Sequence, residues 1–152
     1  KTLEKQRALA IRQDIPFVVA FVDIDFFKDV NDEYGHRIGD QVLAELAHLL
    51  RVSVREVDLA ARYGGEEFVL LLSGLNLEAA EGVLERIRVS VESQLFSEAE
   101  IKQAVSIGVA QYHPDEPAEE VLNRADRMLY EAKRGGRNRV HVEERGMISE
   151  VD

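Results

Sequence analysis

The chain of 152 residues is long enough for one domain with a real core, and its 45% hydrophobic and 32% charged residues are those of a folded rather than a disordered protein. It carries no cysteine, which excludes a disulfide framework, a zinc–thiolate site and a cysteine nucleophile. Nineteen basic residues against 29 acidic ones leave a net charge of −10, which argues against a binder of nucleic-acid polymers or of anionic membrane surfaces.

Residues 1–14 are strong helix formers, with Leu3, Leu9 and Ala10 at loosely helical spacing, and Pro16 ends that element. Phe17 to Val22 is continuously apolar and rich in β-branched residues, the pattern of a strand buried on both faces. The polar stretch from Asn31 to Asp40 reads as a loop ahead of a helix in which Val42, Leu43, Leu46, Leu49 and Leu50 repeat at helical spacing to about Arg55. Asp58 to Tyr63 reads as a short strand, Gly64-Gly65 as a tight hairpin turn, and Phe68 to Leu72 as a second buried strand. A helix follows from Leu77 to Gln94, then a strand from Ala104 to Tyr112 closed by Pro114 and Pro117. Val121 to Lys133 is a last helix and Asn138 to Val142 a last strand. Neither apolar strand run is long enough to span a bilayer, and no signal peptide precedes them. A first residue of Lys1 reads as a single domain, 1–152, cut from a longer protein.

The order β-α-β-β-α-β, followed by α-β, is the split βαβ pattern of ferredoxin-like folds and of polymerase or cyclase palms. The expected class is therefore α/β (α+β), a mixed, largely antiparallel central sheet flanked by helices. A right-handed crossover makes the first two strands parallel, and the hairpin makes the third antiparallel to the second. With the third strand lying between them, Asp23 falls beside Glu66 and Glu67.

Asp23 and Asp25 share a direction while the chain stays extended. Taken alone, acids at a strand end cap the next turn, and charges around a Gly-Gly hairpin suppress edge pairing. Together they bring four carboxylates to one end of two buried strands, a crowding that protons or cations must relieve. Hard oxygen donors without sulfur or a nearby histidine suit Mg²⁺ or Mn²⁺. Glycines 64 and 65 let a phosphate approach the hairpin backbone, so the sharper reading is a metal–nucleotide site. Lys28 and the segment Lys133-Arg134-Gly135-Gly136-Arg137-Asn138-Arg139 supply the densest positive charge of an acidic chain. The segment is equally an ordinary basic helix end. Asn31 and Asp40 can read a guanine edge, whose N1 and N2 hydrogens a carboxylate accepts. His48, His113 and His141 have no spacing that suggests a ligand.

Five motifs now stand in order: Asp23-Ile-Asp-Phe-Phe-Lys28, Asn31-Asp32, Gly35-His36-x-x-Gly39-Asp40, Arg62-Tyr-Gly-Gly-Glu-Glu-Phe68, and Ala132-Lys-x-x-Gly-Arg-Asn138. Together they resemble the GGDEF family of diguanylate cyclases, in a Gly-Gly-Glu-Glu-Phe form, from Phe17 to Val142. The resemblance implies an enzyme that joins two GTP into cyclic di-GMP and releases two pyrophosphates, each domain of a facing homodimer holding one GTP. It implies two magnesium ions, with manganese possible, on Asp23, the carbonyl of Ile24 and Glu66. Glu66 would also help deprotonate the attacking 3′-hydroxyl; because an unperturbed Glu pKa of about 4.3 is poorly matched to an alkoxide, a metal-bound hydroxide or Glu67 could serve instead. Lys28, Lys133 and Arg137 would hold phosphates, Asn31 and Asp40 guanine, with His36, Phe26, Phe27, Gly64 and Gly65 around the nucleotide. Arg55 and Asp58, with five residues separating Asp58 from Gly64, match an Arg-x-x-Asp site for inhibitory cyclic di-GMP, which Arg86 or Arg88 would complete. By themselves they are a surface ion pair.

The Asp-x-Leu-Thr-Gly-Leu-x-Asn-Arg stretch that members usually carry ahead of the first strand does not occur here. The same resemblance implies an upstream sensor domain, no direct membrane contact, and a cytoplasmic location, alone or as part of a membrane-anchored sensor. The alternative, a catalytically inactive receptor for GTP or cyclic di-GMP, has no need of Asp23, Lys28, Glu66 and Lys133 together.

Overall fold

Residues Phe17–Ile24 form β1, and all eight are buried, as a strand with helices over both its faces requires. The computed structural model describes residues 16–144, so the helix expected over residues 1–14 lies outside the described residues. After β1 come α1 (Phe27–Tyr34), α2 (His36–Ser53), β2 (Leu59–Gly64), β3 (Glu67–Ser73) and α3 (Leu77–Ser93). The chain continues through β4 (Leu95–Phe96), β5 (Ile101–Lys102), β6 (Val105–Gln111), α4 (Ala118–Arg134) and β7 (Arg139–Val142). The main sheet has the order β2-β3-β1-β6-β7. Only the β6–β7 pairing is parallel; β1 runs antiparallel to both β3 and β6.

Strand alternation divides the core. Val18, Ala20, Val22 and Ile24 pack with Phe68, Leu70 and Leu72 under α1, α2 and α3. Phe17, Val19 and Phe21 face the other way, with Val69 and Leu71, toward Val121, Ala125 and Leu129 of α4. No helix among the described residues is long and apolar enough to cross a membrane.

Three expectations need correction. The segment Asn31–Asp40 is not a loop: it belongs to α1 and α2, which meet at Gly35. Its charged residues fill solvent faces, while Phe27, Val30 and Ile38 supply a sparse buried face. The break is set by Gly35, whose φ of 89° suits a residue without Cβ. The hairpin turn is Gly65-Glu66, one residue later than expected. Gly64 stays in β2 opposite Glu67, after a register shift between Arg62 and Gly64. The small β4–β5 hairpin has no counterpart among the elements expected from the sequence, because two-residue strands leave no periodic pattern.

Arg124 of α4 closes the far end of the sheet. It donates to Glu143 Oε1 at 2.9 Å, to the Gln111 carbonyl at 2.6 Å and to both oxygens of Glu116. Burial pushes the Glu116 carboxyl up, but the Arg124 hydrogen bond and the His113 amide outweigh it and hold the group below its ordinary range. A carboxylate held low contributes stability that is present above its unfolded-state pKa and lost as pH falls through the folded-state value. Arg124→Met is expected to cost about 2–4 kcal/mol at neutral pH, less than the cost for a fully buried pair because the cluster keeps some solvent contact. Urea unfolding at neutral pH and in acid checks this: the gap to wild type is expected to narrow once Glu116 protonates.

Candidate active site

Asp23 stands opposite Glu67 in the β1–β3 register. Both have the strand parity of the residues that face α4, and Lys133, one turn beyond Leu129, donates from Nζ to Asp23 Oδ2. Asp23 is only 6% exposed, and its Oδ1 is buried with no hydrogen-bond partner. Burial raises the Asp23 pKa, opposed by Lys133 and reinforced by Asp25. Glu66, in the hairpin turn, and Glu67 are half-buried; burial pushes both carboxyls above the ordinary glutamate range, with the Asp23 charge as the second cause. The expected gathering of Asp23, Glu66 and Glu67 is therefore present, with one ammonium group among three carboxylates that each hold protons more tightly than usual.

Asp25 is different. It lies just past the strand, 5% exposed. Its Oδ1 accepts from Ser106 Oγ at 2.6 Å and its Oδ2 from the Asn138 amide at 2.9 Å. Both oxygens are thus engaged by the chain, whereas Asp23 keeps one free. Among the described residues no group of three or more His, Asp or Glu forms a ready cage for a metal. The donor set fits a hard divalent ion that uses few protein ligands: an orphaned carboxylate oxygen on Asp23 and the neighbouring Glu66.

Arg137 lies over the Phe26 ring, 4.7 Å from its centroid, and 3.9 Å from Asp25 Oδ1. Phe26 is exposed in a left-handed conformation at the start of α1, while Phe27 is buried beneath it. Lys28 is 86% exposed and pairs with Asp32 at 3.0 Å, so it stands outside the carboxylate cluster. Asn31 Oδ1 is a second buried acceptor without a partner, and it rests against Gly39: a Cβ there would sit 2.0 Å away. His36 and Asp40 are exposed on the first turns of α2. Asp40 lines a cavity of about 250 Å³ with Arg62 and Phe68. A larger cavity, about 720 Å³, opens between α1 and the β5 segment against Phe26, Tyr34, Gln103, Arg137 and Asn138. Neither cavity is lined by Asp23, Glu66 or Glu67.

Arg55 and Asp58 pair as expected, at the opposite end of β3. Asp58, 2% exposed at its side chain, accepts from the Arg55 amide and guanidinium and from the Ser73 amide. Arg55, 52% exposed, offers the accessible edge of this pair. Arg86 is exposed on α3. Sequence reasoning gave no role to Ser106, and none to Arg88 beyond completing the Arg55 site; neither occurs near Asp25 or Asn138 in the sequence, so only the fold brings them together.

Residues 1–139 match the family described as "Diguanylate cyclase, GGDEF domain". Diguanylate cyclase A of Treponema denticola is 48% identical over 80% of this chain and 34% of its own length, so the chain spans about a third of that relative. The GGDEF domain of DgcB from Caulobacter crescentus, solved in complex with c-di-GMP, superposes with a TM-score of 0.88 at 38% identity over 93% of this chain and 85% of that one. The active GGEEF domain of a diguanylate cyclase from Vibrio cholerae gives a TM-score of 0.88 at 34% identity over 95% and 94%. A palm-like sheet, its carboxylate end and matches spanning nearly the whole described chain thus agree: the chain belongs to the GGDEF family of diguanylate cyclase domains.

Proposed function

We propose that this domain condenses two GTP molecules into cyclic di-GMP. Each of the two 3′-hydroxyls forms a bond to the other nucleotide's α-phosphorus, each α–β phosphoanhydride breaks, and two pyrophosphates and two protons leave. The reading is carried by one observation above all: a buried Asp23 with an unpartnered oxygen, flanked by Glu66 and Glu67 and held by Lys133. When bound there, magnesium supplies Lewis acidity at the α-phosphate and lowers the pKa of the attacking hydroxyl.

The protein's own groups do the rest. Asp23, Glu66 and the Ile24 carbonyl hold the metal, and Lys133 offsets the crowded negative charge while reaching the phosphates. Glu66 helps take the hydroxyl proton, with Glu67 beside it as the alternative acceptor. Lys28 and Arg137 hold the outer phosphates, and the hairpin backbone at Gly64 and Gly65 lets them approach. Asn31 and Asp40 read the guanine edge, with His36, Phe26 and Phe27 around the nucleotide. A second domain presents the second GTP, and a preceding domain controls their meeting.

Guanine selectivity gives the first test. Asp40→Ala leaves guanine donors unpaired, at about 1–3 kcal/mol. Calorimetry with non-hydrolysable GTP and ATP analogues in Mg²⁺ is expected to show a selective loss for GTP; equal losses contradict the role of Asp40. Product inhibition is the second. The c-di-GMP complex of the Caulobacter relative supports reading Arg55, Asp58 and Arg86 as a product site. Arg55→Ala is expected to leave basal turnover near wild type and raise the inhibitory concentration of cyclic di-GMP at least about tenfold. Unchanged inhibition would leave Arg55 only the structural partner of the buried Asp58 carboxylate.

A further inference from the structure

We infer that Asn138 is a positioning residue for the substrate's phosphates: it fastens the turn after α4, which carries Arg137 and follows directly on Lys133 at the helix end, to Asp25 on one side and to α3 on the other. The inference rests on the phosphate role proposed above for Lys133 and Arg137, and extends it to residues that touch no substrate.

The turn does not hold itself. Arg137 and Asn138 have φ of 67° and 48°, two consecutive residues in the left-handed region. Asparagine tolerates that region; arginine does so poorly, and such conformations persist where surrounding contacts fix them. The fixing contacts converge on Asn138. Its amide donates to Asp25 Oδ2 at 2.9 Å, its Oδ1 accepts from Arg88 Nη1 at 2.9 Å, and its Nδ2 donates to Glu92 Oε2 at 2.8 Å. All of its principal polar groups are thereby directed, one to the end of β1 and two to α3.

The anchors are themselves fixed. Asp25 takes a hydrogen bond from fully buried Ser106 on β6, and its own amide donates to the Ala104 carbonyl at 2.9 Å. Arg88 is also bound by Glu85 and Glu92, so its guanidinium has one orientation open to it. From this frame Arg137 emerges over Phe26, beside the Asp23 cluster. The frame also divides labour within the Asp-x-Asp pair. Asp23 keeps an oxygen for a cation, while Asp25, with both oxygens filled, sets where the phosphate-binding cations stand.

The test compares a non-hydrolysable GTP analogue with GMP, which lacks the β- and γ-phosphates, by calorimetry in Mg²⁺. Asn138→Gly keeps the positive φ and the amide bond to Asp25 but loses both ties to α3. It is expected to weaken the GTP analogue about tenfold and GMP by less than about twofold, with little change in thermal melting. Equal weakening of both ligands, or of neither, overturns the inference. Arg88→Met, which removes the tie to Oδ1 together with Arg88's bonds to Glu85 and Glu92 but keeps the Nδ2 tie, carries the same comparison should Asn138→Gly fold poorly. Arg137→Ala separates the two levels. If it weakens the GTP analogue selectively while Asn138→Gly does not, positioning by Asn138 is wrong and the phosphate reading stands. If Arg137→Ala shows no selectivity, the phosphate reading falls and this inference with it.

Discussion

Glu66→Gln is expected to reduce cyclic di-GMP formation by about a thousandfold or more while leaving the fold intact. The substitution keeps the side chain's shape and removes the charge that completes the proposed metal site with Asp23. Because Glu66, Glu67 and Asp23 repel one another, with burial raising each pKa, neutralising one of them relieves crowding. Thermal unfolding of the variant is therefore expected at or slightly above the wild-type temperature, a separation of activity from stability that marks a functional acid. Rates near wild type would remove Glu66 from the metal site.

The largest structural effect is expected at Gly108, where β6 passes directly beneath α4. A Cβ there would lie 2.0 Å from the Leu129 nitrogen and 2.5 Å from the Ala125 carbonyl oxygen. Those atoms are helix backbone, so relief requires moving the helix. Gly108→Ala is expected to cost at least about 3 kcal/mol, a large share of the roughly 5–15 kcal/mol that holds a domain folded. The displacement also carries Lys133, one turn along the same helix, away from Asp23, so activity is expected to fall even in the folded fraction. Gly82 is the internal control. It lies within α3 with nothing inside 4 Å of an added Cβ, so Gly82→Ala is expected to stabilise by about 0.5–1 kcal/mol. Urea unfolding of the two variants checks both signs.

The sheet was legible where burial dictated residue type. The unbroken apolar runs of β1 and β3 and the glycine pair at the β2–β3 hairpin indicated the strand order well enough to place Asp23 opposite Glu67. Helix α1 and the first turn of α2 were not legible, because only Phe27, Val30 and Ile38 mark an inward face there amid polar residues, and a sparse face looks like a loop. The division between Asp23 and Asp25 was also hidden. Identical side chains two residues apart differ only through partners 81 and 113 positions away, Ser106 and Asn138. Long-range hydrogen bonding of that kind leaves no local pattern.

Cyclic di-GMP and pyrophosphate should be followed together during incubation with GTP and Mg²⁺ over a range of chain concentrations. If two domains each present one GTP across these carboxylates, two pyrophosphates appear for every cyclic di-GMP. The rate per chain then rises with chain concentration until pairing saturates. Intact GTP, or GTP hydrolysed without any cyclic di-GMP at every concentration, would contradict the proposed chemistry.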